Sequence, residues 1–220
     1  MACSRAQCLS DARWIISVVQ VARTPDDIRT VERSLGQWIL WIGGVTVVIL
    51  LGAYGSLLAT SNGLAGDQRT VVRRAIQVLD RSGFSREASV LGRFVAWRST
   101  DNWWNEYVGH QRAYAATNFP FAVVTVYPPF FTVAVDDTER AAILLHEAYH
   151  VLGDDEEQVL RHVWLAKQRI GWTEDRYAHT RVWRNTREWT AGTVPGLFRC
   201  GIDAHSDCTA NLYTADALAQ

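Results

Sequence analysis

Charge is missing from one long stretch of this chain: between Gln37 and Thr60, no Asp, Glu, Lys or Arg occurs over residues 38–59. A helix needs about 20 apolar residues to cross the hydrocarbon of a bilayer, and a core helix of a soluble domain does not stay apolar on every side for about six turns. Residues 37–60 are therefore expected to form a single transmembrane helix. Trp38 and Trp41 at one end and Tyr54 toward the other suit the two interfaces, and Gly43, Gly44, Gly52 and Gly55 are tolerated in membrane helices. Residues 1–37 are longer than a usual n-region and no A-x-A site follows, which argues against a cleaved signal peptide. Lysine is nearly absent, with Lys167 alone, and methionine occurs only as Met1. The formal net charge of −1 gives no reason to expect a nucleic-acid partner. No internal repeat or low-complexity tract is visible, which excludes solenoid architectures.

The flanks of the apolar run do not orient it by charge. Arg23, Arg29 and Arg33 lie on one side and Arg69, Arg73 and Arg74 on the other, a tie under the positive-inside rule. The four cysteines tip the balance. Cys200 and Cys208 enclose a short polar loop that a disulfide would close in an oxidising compartment. Cys3 and Cys8 suit cytosolic thiols or acylation sites. The expectation is a single-pass protein with its N-terminus inside and residues 61–220 outside. Residues 1–36 hold an amphipathic piece over 12–22 and a helix start at Thr24-Pro25-Asp26-Asp27, and their role is not readable. Residues 61–220 amount to one domain able to bury a real core, with seven of the ten tryptophans. Oligomeric state is not readable either.

Within that domain, residues 69–79 and 85–96 read as helices, and an aromatic region containing Trp103-Trp104 follows. That cluster suits core packing, or a carbohydrate- or lipid-facing surface. Residues 122–126 read as a strand, serving as the edge of a cleft or as a plain core strand. Asp136, with Glu139 three residues on, marks a helix start. Ala141, Leu144, Leu145, Ala148, Val151 and Leu152 form its apolar stripe, while His146, Glu147, His150 and Gly153 fall largely off it. His146-Glu147-Ala148-Tyr149-His150 is an H-E-x-x-H arrangement: two imidazoles one turn apart on one face can hold one metal ion, with a glutamate between them as a base.

A catalytic zinc needs a third protein ligand and an open position. On an uninterrupted helix, Glu157 would lie roughly 10 Å along the axis from His150. The chain must therefore turn back, and Gly153 followed by Asp154-Asp155 carries the signals: a C-terminal glycine, then an N-cap for a second helix over 155–170 that Gly171 stops. Glu157 is the expected third ligand, and Glu156, Asp154, Asp155, His162 and His179 could stand in its place. Downstream, Val182-Trp183 and Glu188-Trp189 read as helical.

These residues resemble the zincin metallopeptidases, whose small members carry a strand with a following aromatic-proline stretch (here Ala122 to Phe131), a helix with L-L-H-E-x-x-H, and an acid soon after a glycine. The resemblance covers about 40 residues and departs from two subgroups: Glu156 stands where a metzincin has histidine and no Met-turn is possible, and Ile170 stands where the thermolysin type has its distant glutamate. It implies an α+β fold, mostly helical with a small sheet, preceded by the transmembrane helix. It also implies a zinc-dependent peptidase acting on peptide or protein substrates. Zn2+ would be held by His146, His150 and Glu157, with Glu147 as general base and Tyr177, His179 or Arg181 as donors to the oxyanion. The competing expectation is a non-catalytic, membrane-anchored binding protein with a zincin-like domain.

Overall fold

The computed structural model describes residues 25–109, 113–201 and 206–209, with side chains from residue 36 onward. Cys3, Cys8 and the amphipathic stretch 12–22 lie outside them. The chain divides into two compact units, 1–53 and 54–220.

In the first unit, helix α1 (Pro25–Ala59) begins with a proline at its first helical position, where the missing N–H costs no hydrogen bond. Its segment Gly36–Ala59 is 24 residues with a mean hydropathy of 2.0, long and apolar enough to cross a membrane. Trp38, Ile39, Leu40, Trp41, Ile42, Val48 and Leu51 are each more than 60% exposed. The hydroxyl of Thr46 donates to the carbonyl of Ile42 at 2.8 Å, so even this polar group is satisfied within the helix.

The second unit begins with the last turns of α1 and is mostly helical. It continues through α2 (Gly66–Arg81), α3 (Ser85–Arg93), β1 (Ala96–Arg98), α4 (Trp103–Val108), β2 (Ala115–Thr117), β3 (Val123–Val126) and α5 (Pro128–Thr132). Then come α6 (Asp137–Leu152), α7 (Glu156–Ile170), α8 (Glu174–Tyr177), α9 (Arg181–Thr193) and a 3-10 turn, Pro195–Phe198. Helix α3 stops short of the expected Ala96. Ala96–Arg98 form strand β1 instead, and the Ala96 N–H donates to the Ala122 carbonyl at 2.7 Å.

The sheet has the order β1-β3-β2, with β1 parallel and β2 antiparallel to β3. All four β3 residues are buried, so it reads as a continuous apolar run rather than an alternation. Its one polar side chain, Thr125, accepts a hydrogen bond from Asn105 Nδ2 at 3.0 Å. Of the two roles open to residues 122–126, the structure gives the core one. The edge strands are β1 and β2.

Helix α6 is the hub, packed against α2, α3, α7 and β2. Ala141, Leu144, Leu145 and Ala148 are fully buried against Val72, Ala75 and Leu79 of α2, Leu91 of α3, and Val159 and Val163 of α7. Behind α7 the aromatic cluster of Trp164, Trp172, Trp183 and Phe198 closes the core, with ring centroids 4.8–6.2 Å apart. Edge-to-face and tilted pairs of this kind add to the stabilisation from burial.

The single lysine lies in this core. Lys167 is 1% exposed over the ring of Trp164, and its Nζ sits 3.0 Å from Asp207 Oδ2 and donates to the Thr209 hydroxyl. Burial alone would push Asp207 up, but hydrogen bonds from Thr209 and the Lys167 ammonium outweigh it and hold the carboxyl below its usual range. A disulfide between Cys200 and Cys208 fastens this return segment. Breaking a buried pair from one side strands the other charge, so Lys167→Met is expected to cost about 3 kcal/mol of stability and Lys167→Met/Asp207→Asn to recover most of it. Thermal unfolding of the two variants measures the difference.

Candidate metal centre

Helix α6 starts where Asp136 caps it, its carboxylate accepting from the Glu139 N–H at 2.9 Å. Glu139 is fully buried with both carboxylate oxygens occupied: Oε2 accepts from the Val135 N–H at 3.0 Å and Oε1 from the Thr180 hydroxyl at 2.5 Å. Thr180 is itself the N-cap of α9. One carboxylate thus ties the starts of two helices together, a structural use that engages both of its oxygens.

At the other end α6 stops at Gly153, whose φ of 103° is open to glycine and strained for residues with a Cβ. The chain then reverses, and Asp155 caps α7 in a reciprocal box with Gln158. This return carries the first turn of α7 back over the histidines. Nε2 of His150 lies 3.1 Å from Nε2 of His146 and 3.1 Å from Glu156 Oε2, and His146 Nε2 lies 3.6 Å from Glu156 Oε1. Zinc bonds of about 2.1 Å in a tetrahedron put ligand atoms about 3.4 Å apart. The separations observed, 3.1–3.6 Å with each imidazole facing a different oxygen of Glu156, lie around that value.

Two further details fit a cation at this point. The Nδ1 of His150 meets the Asp154 carbonyl at 3.1 Å, so the neutral ring places its proton there and leaves Nε2 bare toward His146 and Glu156. Glu156 Oε1 is buried and has no hydrogen-bond partner. An unpaired carboxylate oxygen beside two imine nitrogens calls for positive charge. The electrostatics agree. Burial would lower His150, yet Glu156, Glu147 and the Asp154 carbonyl outweigh it and raise its pKa. Burial would raise Glu156, and the two imidazoles reverse that. His146, partly buried at the cavity wall, is pushed down to about 4 mainly by burial and stays neutral, as a metal ligand must.

The third member of the cluster is Glu156, where the sequence pointed to its neighbour Glu157. Glu157 is more than half exposed and pairs with Arg161 one turn along α7 at 3.0 Å. The neighbouring acids and histidines are engaged elsewhere. Asp154 pairs with His162 at 3.0 Å, Asp155 is the N-cap, and His179 is exposed after α8. Among the described residues, His146, His150 and Glu156 are the group able to hold a metal ion.

Glu147 sits beside the cluster, 4% exposed, with Oε2 accepting from the Thr117 hydroxyl of β2 at 2.7 Å. Burial raises its pKa to about 7 despite that hydrogen bond. Cluster and glutamate open into a cavity of about 410 Å³ lined mostly by apolar side chains, among them Ile143, Leu160, Val163, Trp172, Val182 and Trp189. The cavity is of a size that holds several side chains of a ligand.

The expected oxyanion donors are not in it. Tyr177 is 2% exposed and donates to Asp136 Oδ2 at 2.7 Å, at the opposite end of α6, roughly 15 Å along the axis from His146. Burial and that carboxylate push its pKa up to about 12. His179 and Arg181 are exposed and do not line the cavity. The cavity instead holds Tyr114, whose hydroxyl accepts from Asn185 Nδ2 at 3.2 Å and keeps its own proton to donate. No spacing rule links residues 71 apart, so nothing in the order of residues signals this pair. Because Tyr177 serves packing, Tyr177→Phe is expected to lower stability by about 1 kcal/mol and leave the cluster geometry unchanged. Unfolding midpoints and the structure of the variant check both halves.

Compared with family models, with curated proteins and with solved structures, the chain matches none.

Proposed function

We propose that the protein is a membrane-anchored, zinc-dependent peptidase. The observation that carries this reading is the convergence of His146 Nε2, His150 Nε2 and a Glu156 carboxylate with an orphaned oxygen, next to a buried glutamate whose pKa is raised toward neutrality. Two nitrogen ligands and one carboxylate suit zinc far better than magnesium or calcium, which take oxygen cages. Zinc held there by His146, His150 and Glu156 would polarise a carbonyl and make water acidic enough to be deprotonated near pH 7.

The remaining work falls to side chains of this chain. Glu147 takes a proton from the attacking water and returns it to the leaving amine, a task suited to a carboxyl held near neutrality. Thr117 keeps that carboxylate aimed by donating to Oε2. Tyr114, steadied by Asn185, offers a donor to the oxygen that gains charge. Strand β2 pairs with β3 on one side only, and Ala115, Ala116 and Thr117 all line the cavity, so an extended peptide can add to its free edge. The anchor in this reading is the Gly36–Ala59 segment of α1: free of charge, with 6% of its most apolar window buried in protein, it is stable where lipid replaces water. The disulfide between Cys200 and Cys208 favours an extracytoplasmic position for the second unit.

Two measurements on the full chain test the reading. Glu156→Gln is expected to weaken zinc binding by at least about tenfold, whereas Glu157→Gln, which loses only an exposed ion pair, leaves it within about twofold. Metal titration with bound zinc counted by atomic absorption decides between them. Glu147→Gln is expected to retain zinc and to lower hydrolysis of a peptide library by about 10²- to 10⁴-fold. Bound zinc with no hydrolysis by the native chain would leave a binding protein in its place.

A further inference from the structure

The second unit carries an aromatic face that its core does not use. Trp103 and Trp104 are nearly half exposed, Tyr107 is 78% exposed and Phe119 67%. Single exposed aromatics need no explanation, but these are fastened to one another. Asn102 caps α4 by accepting from the N–H groups of Trp104 and Asn105. Asn102 Nδ2 donates to Asn118 Oδ1 at 2.9 Å, and Asn118 Nδ2 donates to Asn105 Oδ1 at 2.6 Å. All three asparagines are buried, so α4 and the segment carrying Phe119 are held as one piece.

That piece is joined to the end of the apolar helix. Trp103 Nε1 donates to Ser56 Oγ at 3.1 Å, the Trp103 N–H donates to Thr60 Oγ1 at 3.3 Å, and the ring of Phe121 lies 5.9 Å from that of Tyr54. Residues 54, 56 and 60 belong to the last turn and a half of the segment that is long and apolar enough to cross a membrane, and the residue just past it. Beside the same junction, the guanidinium groups of Arg69 and Arg98 come within 3.5 and 3.6 Å of where a side chain on Gly63 would begin. Glu106 is the acidic residue of α4. Trp and Tyr, with Arg among them, collect where lipid headgroups meet hydrocarbon, because one end of each is apolar and the other polar. Phe119 also lines the cavity that contains His146, Glu147, His150 and Glu156.

Resting on the reading of α1 as a membrane span, we propose that Trp103, Trp104, Tyr107 and Phe119 form a face that seats in the bilayer interface and holds the mouth of the metal cavity at headgroup depth. The substrates that reach it are then polypeptide segments lying on, or emerging from, the membrane surface.

The test is site-directed spin labelling of the full chain in phosphatidylcholine vesicles, with Cys3 and Cys8 replaced by serine and one new thiol at a time from Tyr107→Cys, Phe119→Cys, Val45→Cys or Val135→Cys. Val45 reports the span. Val135 is exposed and two residues from Asp137, which pairs with Arg74 midway along α2, and serves as the water reference. The oxygen-to-nickel collision ratio is expected to be highest at 45, and at 107 and 119 at least about twofold above that at 135. A lipid-like value at 45 with water-like values at both 107 and 119 overturns the seating while the span stands. A water-like value at 45 overturns the span and the seating together. Positions 107 and 119 are both surface side chains, so each checks the other if one variant folds poorly.

Discussion

Everything at the centre hangs on a reversal of direction at residue 153. A helix advances 1.5 Å per residue, so no side chain in its next turns can meet His146 and His150 unless the chain comes back. Gly153 in the left-handed region permits the turn, and the Asp154 carbonyl it exposes then receives the proton of His150 Nδ1. The same few atoms thus end one helix, begin the next and fix which nitrogen of His150 faces the cluster. A Cβ at 153 would strain the turn and loosen all three at once.

Buried charge in this domain is handled in two ways. Glu139 accepts a hydrogen bond on each oxygen and serves as a joint between the starts of α6 and α9. Lys167 and Asp207 neutralise each other beneath the tryptophans. Glu147 has a single donor and Glu156 one unmet oxygen, and these two stand next to the imidazoles. The first two arrangements close on themselves within the core, whereas Glu147 and Glu156 face the imidazoles and are the carboxylates that the proposed chemistry would use.

The helical hairpin was legible in the sequence because its signals are local. Asp136 and Asp155 cap their helices as their spacing predicts, and Gly153 and Gly171 stop those helices in the left-handed conformation. The apolar segment is equally plain, since length and the absence of charge suffice to define it. Glu156 and Glu157 are not separated by such local signals. Both are acids in one first turn, and successive residues point about 100° apart, so only the angle at which α7 returns decides which one faces the histidines. The tertiary partners were out of reach for the same reason: Tyr177 with Asp136, and Tyr114 with Asn185, are joined across 41 and 71 residues. Strands β1 and β2 have three residues each, too few for a period to show.

Lys167 also decides how the protein meets amine-reactive chemistry. With no other lysine in the chain, every side-chain amine is concentrated in a single nitrogen sealed under Trp164. The folded surface thus offers acylating reagents no ε-amino target at all. Reaction at that nitrogen requires the C-terminal return to peel away, which makes its acylation a chemical clock for the opening of the core.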